Sequence, residues 1–134
     1  MRRLVALLAF TTALACGGDS STSAQQDVPV PGTYTLRMVN RRPLPFTVVK
    51  NDSVTFDIMS DAFTLNEDRS WTEAGTSRTN FKGAVTTDTI ANSGTYVLSG
   101  TKITMIGVDG STDGTIGGGT LTLSNDAVLA VYQK

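Results

Sequence analysis

Apolar side chains recur at every second position through most of this chain, and this alternation constrains the fold more than any other feature. Threonine is the commonest residue between them, as in Leu-Thr-Leu at 121–123. Neighbouring side chains of a strand point to opposite faces, so the pattern predicts strands with one buried and one solvated face. The runs lie at 34–38, 54–58, 63–65, 96–98, 103–105, 121–123 and 127–131. No window of eleven residues carries a 3.6-residue period, and we therefore predict an all-β fold.

Short turn sequences separate the alternating runs. Asn, Asp, Gly and Ser cluster between them, for example at 51–52, 92–94 and 117–119, and these residues favour tight turns. A sandwich of the immunoglobulin type is one alternative, but it needs longer crossover connections. We therefore predict an antiparallel up-and-down meander that closes into a small barrel of eight to ten strands and leaves no free edges.

The first residues have the features of an export signal. A basic start at 1–3 precedes an apolar stretch at 4–14, which is too short to cross a bilayer as a helix. Small residues then lead to Cys16, and the sequence Ala13-Leu14-Ala15-Cys16 resembles the lipobox of bacterial lipoproteins. The resemblance implies that Cys16 carries acyl chains such as palmitate, although the family usually has leucine where Ala13 stands. The alternative is an ordinary secretory signal with an incidental cysteine.

These features predict a signal peptide at 1–15, a flexible tether at 16–31 and one domain at 32–134. The tether is rich in Gly, Ser, Thr and Gln, and such a composition buries too little surface to order the chain. Gly17 follows the cysteine, whereas Asp at that position resembles a signal for retention in the inner membrane. We therefore expect a protein anchored to the outer membrane and facing the periplasm.

The domain resembles the small bacterial lipocalin-like lipoproteins. The resemblance lies in an opening strand with its turn and in later strands of the same meander. These segments are 32–36, 39–40, 43–45, 63–65, 68–71, 94–96, 103–105 and 129–132. Lipocalins carry a first-strand tryptophan covered by an arginine near the last strand, but Tyr34 stands at the tryptophan position and no arginine follows Arg78. The resemblance implies a barrel with a cavity for a small hydrophobic molecule.

The composition excludes several kinds of site. The chain has no histidine and one cysteine, so it lacks a Ser-His-Asp triad, an imidazole metal ligand and a cysteine-based metal cluster. Its 11 basic and 12 acidic side chains are spread along the sequence, which gives no electrostatic basis for binding nucleic acid. We therefore predict a protein that is not an enzyme and uses no cofactor.

Acidic residues remain as candidates for acid–base chemistry. The pattern marks none of them as buried, so we expect all of them to be solvated. They are Asp57, Asp61, Glu67, Asp68, Glu73 and Asp88. The segment 109–114 matches the first half of a calcium-binding loop, but Thr120 stands where the loop needs a glutamate. We interpret this segment as a polar hairpin loop and predict no metal site.

Apolar side chains inside the barrel are the predicted ligand-binding groups. These side chains either fill the interior or line a narrow cavity, and the sequence leaves both arrangements open. The predicted binding residues are Tyr34, Leu36, Phe56, Phe63, Trp71 and Tyr96. Two hypotheses follow: an anchored protein that binds a small hydrophobic ligand, or a structural lipoprotein whose packed barrel contacts another envelope protein.

Overall fold

The computed structural model describes residues 29–134, which form ten strands. The predicted signal peptide (1–15), the acylation site Cys16 and most of the tether (16–31) lie outside the described residues. The strands are β1 (Gly32–Val39), β2 (Arg42–Pro43), β3 (Phe46–Lys50), β4 (Val54–Leu65), β5 (Ser70–Phe81), β6 (Ala84–Ser99), β7 (Lys102–Gly107), β8 (Gly110–Gly117), β9 (Thr120–Ser124) and β10 (Leu129–Gln133). Within this part of the chain, no helix is long and apolar enough to cross a membrane.

Eight of these strands close into a barrel. From β4 to β10 each strand pairs with the next one along the chain, β10 pairs with β1, and β1 pairs back with β4. All of these pairings are antiparallel. The remaining strands, β2 and β3, extend the sheet beside β1 and β4 respectively. The prediction of an all-β, antiparallel up-and-down barrel is confirmed.

The side chains that the alternation places on one face fill most of the barrel interior. Burial of one such side chain stabilises the fold by about 1.5–3 kcal/mol. The buried apolar residues are Tyr34, Leu36, Val39, Phe63, Leu65, Trp71, Tyr96, Ile103, Met105, Ile116, Leu121, Leu123 and Tyr132. Leu44, Phe46 and Ile58 pack against this core while remaining partly buried.

The near end of the barrel, which we define as the end where β1 begins, is closed by contacts with residues 29–31. The Tyr34 hydroxyl donates to the carbonyl of Val30 at 2.7 Å, and the Lys134 ammonium donates to the carbonyls of Pro29 and Pro31. The same ammonium lies 5.6 Å from the centre of the Tyr34 ring. Lys134 thus covers the Tyr34 ring at this end of the barrel.

Part of the sheet extends past the far end, where β1 finishes. Strand β4 pairs with β1 through 62–65 and with β3 through 55–58. Strand β6 pairs with β7 only from Gly94 onward, so 84–93 has β5 as its one neighbour within the described residues. We call this extension, formed by 46–50, 54–58, 76–81 and 84–93, the arm. Its β6 edge is free, which differs from the predicted barrel without edges, because closure uses only part of each long strand.

One predicted turn is absent from its expected place. Residues 92–94 lie inside β6 and pair with β5, so the turn predicted there is wrong. A Cβ atom on Gly94 would clash with the carbonyl oxygen of Ile106 and would lie 2.8 Å from ring atoms of Trp71. Glycine is therefore needed at this position because the backbone of β7 and the indole both pack against it, and not because the chain reverses direction.

Candidate functional site

A cavity of about 290 Å³ lies in the barrel at its far end. Apolar side chains from different strands form its floor, namely Phe63, Trp71, Met105 and Leu123. Its rim is more polar and comes from Glu73, Asn92, Ser93 and the β7–β8 hairpin at 107–112. The interior therefore contains a cavity beside its packed core.

Trp71 is held so that its aromatic surface contributes to the cavity floor. Its indole N–H donates to the Thr95 carbonyl at 2.9 Å, which satisfies the one polar group of the ring. The Phe63 ring meets the indole edge-on, with ring centres 5.4 Å apart. The Tyr132 ring meets Phe63 in the same way at 5.2 Å. These edge-to-face contacts hold the Phe63 and Trp71 rings of the cavity floor in place.

A buried carboxyl group lies behind the cavity wall. Asp61 is only 6% exposed, and it lies on the same face of β4 as Phe63, two residues away. The Tyr132 hydroxyl donates to its Oδ2 at 2.7 Å, whereas the buried Oδ1 has no hydrogen-bond partner. Glu73 on β5 pairs with Phe63 across the sheet, which places it diagonally beside Asp61.

The surroundings of Asp61 favour its protonated form. Burial, with the charge of Glu73 and a hydrogen bond to it as further causes, raises the pKa of Asp61 to about 6, while the bond from Tyr132 acts in the opposite direction. Burial and the Asp61 charge also raise the pKa of the Tyr132 hydroxyl. When protonated, Asp61 is thus able to donate its proton to Glu73.

The expectation that the acidic side chains are all solvated is wrong for Asp61 and Asp57. Asp57 is also 6% exposed, but it accepts hydrogen bonds from Thr47 at 2.6 Å and from Arg78 at 2.8 Å. These bonds lower the pKa of Asp57, so this ion pair serves to join strands of the arm. A sequence signal existed for Asp61, because it continues the alternation of Phe63 and Leu65 toward the start of β4.

The six predicted ligand-binding residues do not come together at one place. Phe63 and Trp71 line the cavity. Tyr34, Leu36 and Tyr96 are buried in the barrel core, outside the cavity lining. Phe56 lies partly buried on the arm. Glu73 and Asn92 were missed as cavity residues because a polar residue within a strand normally indicates a solvated face.

The segment 109–114 forms the β7–β8 turn and the start of β8. The Asp113 carboxylate accepts a hydrogen bond from the Thr104 hydroxyl at 2.7 Å on the neighbouring strand. In residues 29–134, no group of three or more His, Cys, Asp or Glu side chains is arranged to hold a metal ion. The segment is a hairpin that forms one side of the cavity rim.

No family model, no curated protein and no solved structure matches this chain. The assignment of a function therefore depends on the chemistry of the cavity.

Proposed function

We propose that this protein is a lipid-anchored binding protein of the cell envelope whose far-end cavity holds a small ligand with an apolar body. The observation that carries the proposal is the cavity itself, which combines an apolar floor of two aromatic rings with a few polar groups at its rim. This combination is typical of small-molecule sites. The volume, about 290 Å³, is at the small end of the range for such sites and favours a compact ligand.

The position of the cavity favours a ligand that arrives from water. Residues 29–31 lie at the near end, bonded to Lys134 and Tyr34, whereas the cavity lies at the far end. A tether that leads from residue 29 to an acylated Cys16 attaches the barrel at its near end, so the anchor and the cavity lie at opposite ends of the barrel. This separation supports a soluble ligand over a membrane lipid.

Titration of the single tryptophan tests this proposal. Trp71 is on the cavity floor, so we expect saturable quenching or a spectral shift of its fluorescence when 1-octanol is added. Thr112, which pairs with Met105 across β7 and β8, lines the cavity, and Thr112→Phe is expected to fill it and abolish the change. Thr115→Phe places the same ring at an exposed position of β8 and is the matched control.

The proposal is contradicted if 1-octanol produces no saturable change in the folded wild-type protein. It is also contradicted if Thr112→Phe and Thr115→Phe bind the probe as tightly as the wild type does. Equal effects of the two phenylalanines would place the binding outside the cavity.

A second candidate function, an interaction lipoprotein, is favoured by the free edge of the arm. Residues 84–93 present unpaired backbone groups along one side, and this segment contains no proline or lysine to protect it. Val85 within it is 59% exposed, and Phe81, which pairs with Ala84 across the turn, is 52% exposed. The partner that fits this edge is an extended segment of another envelope protein, because a strand satisfies such a row of groups.

Crosslinking in cells tests this second candidate. A photoreactive residue at Thr87, on the free edge, is expected to give an adduct with one partner, which Thr89→Lys should remove by placing a charge on the edge. The same photoreactive residue at Thr115 on β8 is the control and should give no such adduct. Recovery of the monomer alone from the Thr87 position would contradict the interaction.

A further inference from the structure

The charged side chains that line the cavity in the described residues are acidic. Glu73 and Asp109 are the charged side chains among its lining residues, and no lysine or arginine lines it in the part of the chain described. The Glu73 carboxylate accepts a hydrogen bond from the Asn92 amide at 2.5 Å, which fixes its position without neutralising its charge. A ligand in the cavity therefore meets a fixed negative charge next to an apolar floor.

A second observation, the contact of Asp61 with Glu73, points in the same direction. The buried Asp61 Oδ1 accepts from no donor in the described residues, and the Glu73 carboxyl beside it is a group to which only protonated Asp61 donates. Asp61 lies on the inward face next to Glu73, and two neighbouring carboxylates oppose each other's ionisation. This opposition is part of what raises the pKa of Asp61, together with its burial. A positive charge bound at Glu73 would relieve the repulsion between the two groups.

We propose that the ligand is an amphipathic amine whose apolar body packs on Trp71 and Phe63 and whose ammonium group pairs with Glu73. This inference rests on the proposed binding function and adds to it the chemical class of the ligand. The ammonium group gains a charge-assisted hydrogen bond in a partly desolvated place. It also lies near the negative face of an indole ring, which attracts cations.

Three probes with eight carbon atoms each separate charge from apolar packing: octylamine, 1-octanol and octanoate. Their dissociation constants are measured by Trp71 fluorescence and by calorimetry at pH 7.5. We expect octylamine to bind wild-type protein about tenfold more tightly than 1-octanol, as a charged hydrogen bond contributes. We expect octanoate to bind more weakly than either.

Glu73→Gln tests the role of the carboxylate, since glutamine has the same shape without the charge. The preference for octylamine, measured as the ratio of the dissociation constants of 1-octanol and octylamine in the same variant, should fall to about twofold or less. Glu67→Gln removes a carboxylate from the exposed β4–β5 turn and should preserve the wild-type preference. If Glu73→Gln does not fold, the three-probe comparison on wild-type protein decides the question.

The outcomes separate this inference from the proposed function. Equal affinity of wild-type protein for octylamine and 1-octanol overturns the amine assignment and leaves the binding function in place. A preference for octylamine that persists in Glu73→Gln overturns it as well, because the charge then acts elsewhere. Absence of saturable binding of all three probes to the folded wild type contradicts both proposals.

Discussion

At the scale of single residues, Asp61 links the cavity to the stability of the fold. Its pKa in the folded protein, about 6, lies above the value of about 3.9 for an unfolded aspartate. The folded state therefore binds the proton more tightly, and the resulting stability is fully present below about pH 4. It is lost as the pH rises through 6, and the change is on the order of 2–3 kcal/mol.

Asp61→Asn should remove this pH dependence. The asparagine amide is uncharged, and it is able to accept from Tyr132 and donate toward Glu73 at every pH. We expect urea denaturation to show wild-type protein more stable at pH 5 than at pH 7.5, and the variant to be nearly equally stable at both. At pH 7.5 the variant should be the more stable of the two by about 1–2 kcal/mol.

The lower limit of pH 5 is chosen because other carboxylates act in the opposite direction. Hydrogen bonds lower the pKa of Asp57 and of Asp68, so their stabilisation is present above about pH 4 and lost below it. Equal wild-type stability at pH 5 and pH 7.5 would contradict the assignment of the buried carboxyl. A variant that keeps the wild-type pH dependence would contradict it too.

The aromatic residues of the cavity floor are predicted from the sequence, whereas the acidic residues at and behind the cavity wall are not. Phe63 is predicted because it belongs to an apolar run that alternates, and Trp71 is predicted because so large an aromatic ring is usually buried even though its neighbours in the sequence are polar. Glu73 is not predicted, because its place on the rim depends on which strand lies opposite and on where the barrel ends. Asp61 follows the apolar alternation, yet an acid at such a position normally indicates that the strand has reached solvent.

At the scale of elements, the β5–β6 turn offers a test of backbone strain. Lys82 and Gly83 have φ angles of 49° and 91°, which suits the tight two-residue turn of a hairpin. Nothing lies within 4 Å of a Cβ atom built on Gly83. Gly83→Ala is therefore expected to destabilise the protein by about 1 kcal/mol through the backbone alone.

Gly117→Ala is the matched control for this turn. A Cβ atom on Gly117 also has nothing within 4 Å, and its φ is not in the left-handed region. We expect this variant to be unchanged or up to about 1 kcal/mol more stable, because alanine restricts the unfolded chain. Equal free energies of unfolding for the two alanine variants would contradict the turn geometry.

Strand identity follows from the sequence more reliably than strand length. The period-two runs identify most of the strands because one face of each is buried in the barrel. The arm is not predicted, because 84–93 is exposed apart from the half-buried Ile90 and has no apolar alternation to mark it. It is a strand because β5 supplies a partner through Ala84–Thr95, and such pairing is a tertiary property.

At the scale of the whole molecule, the two ends of the barrel have separate roles in the proposed function. Residues 29–31 connect to the near end, and the cavity occupies the far end. We expect Cys16→Ala to move the protein from the membrane fraction to the soluble periplasmic fraction, because anchoring depends on the acyl chains. Fractionation followed by immunoblotting measures this, with Ser20→Ala in the tether as the control.

Persistence of the Cys16→Ala protein in the membrane fraction would contradict anchoring through that residue. Binding of 1-octanol by the soluble variant should equal that of the wild type, since residues 29–134 contain the entire cavity lining.

The central claim is that a ligand enters the barrel at its far end and lies over Trp71 beside Glu73. NMR titration of isotope-labelled protein with octylamine tests it most directly, because each backbone amide reports its own surroundings. The account predicts saturable shifts concentrated at 71–73, 92–93 and 105–112, with the near-end turns and the arm unaffected. Shifts confined to the arm, or none within the barrel at saturating octylamine, would contradict it.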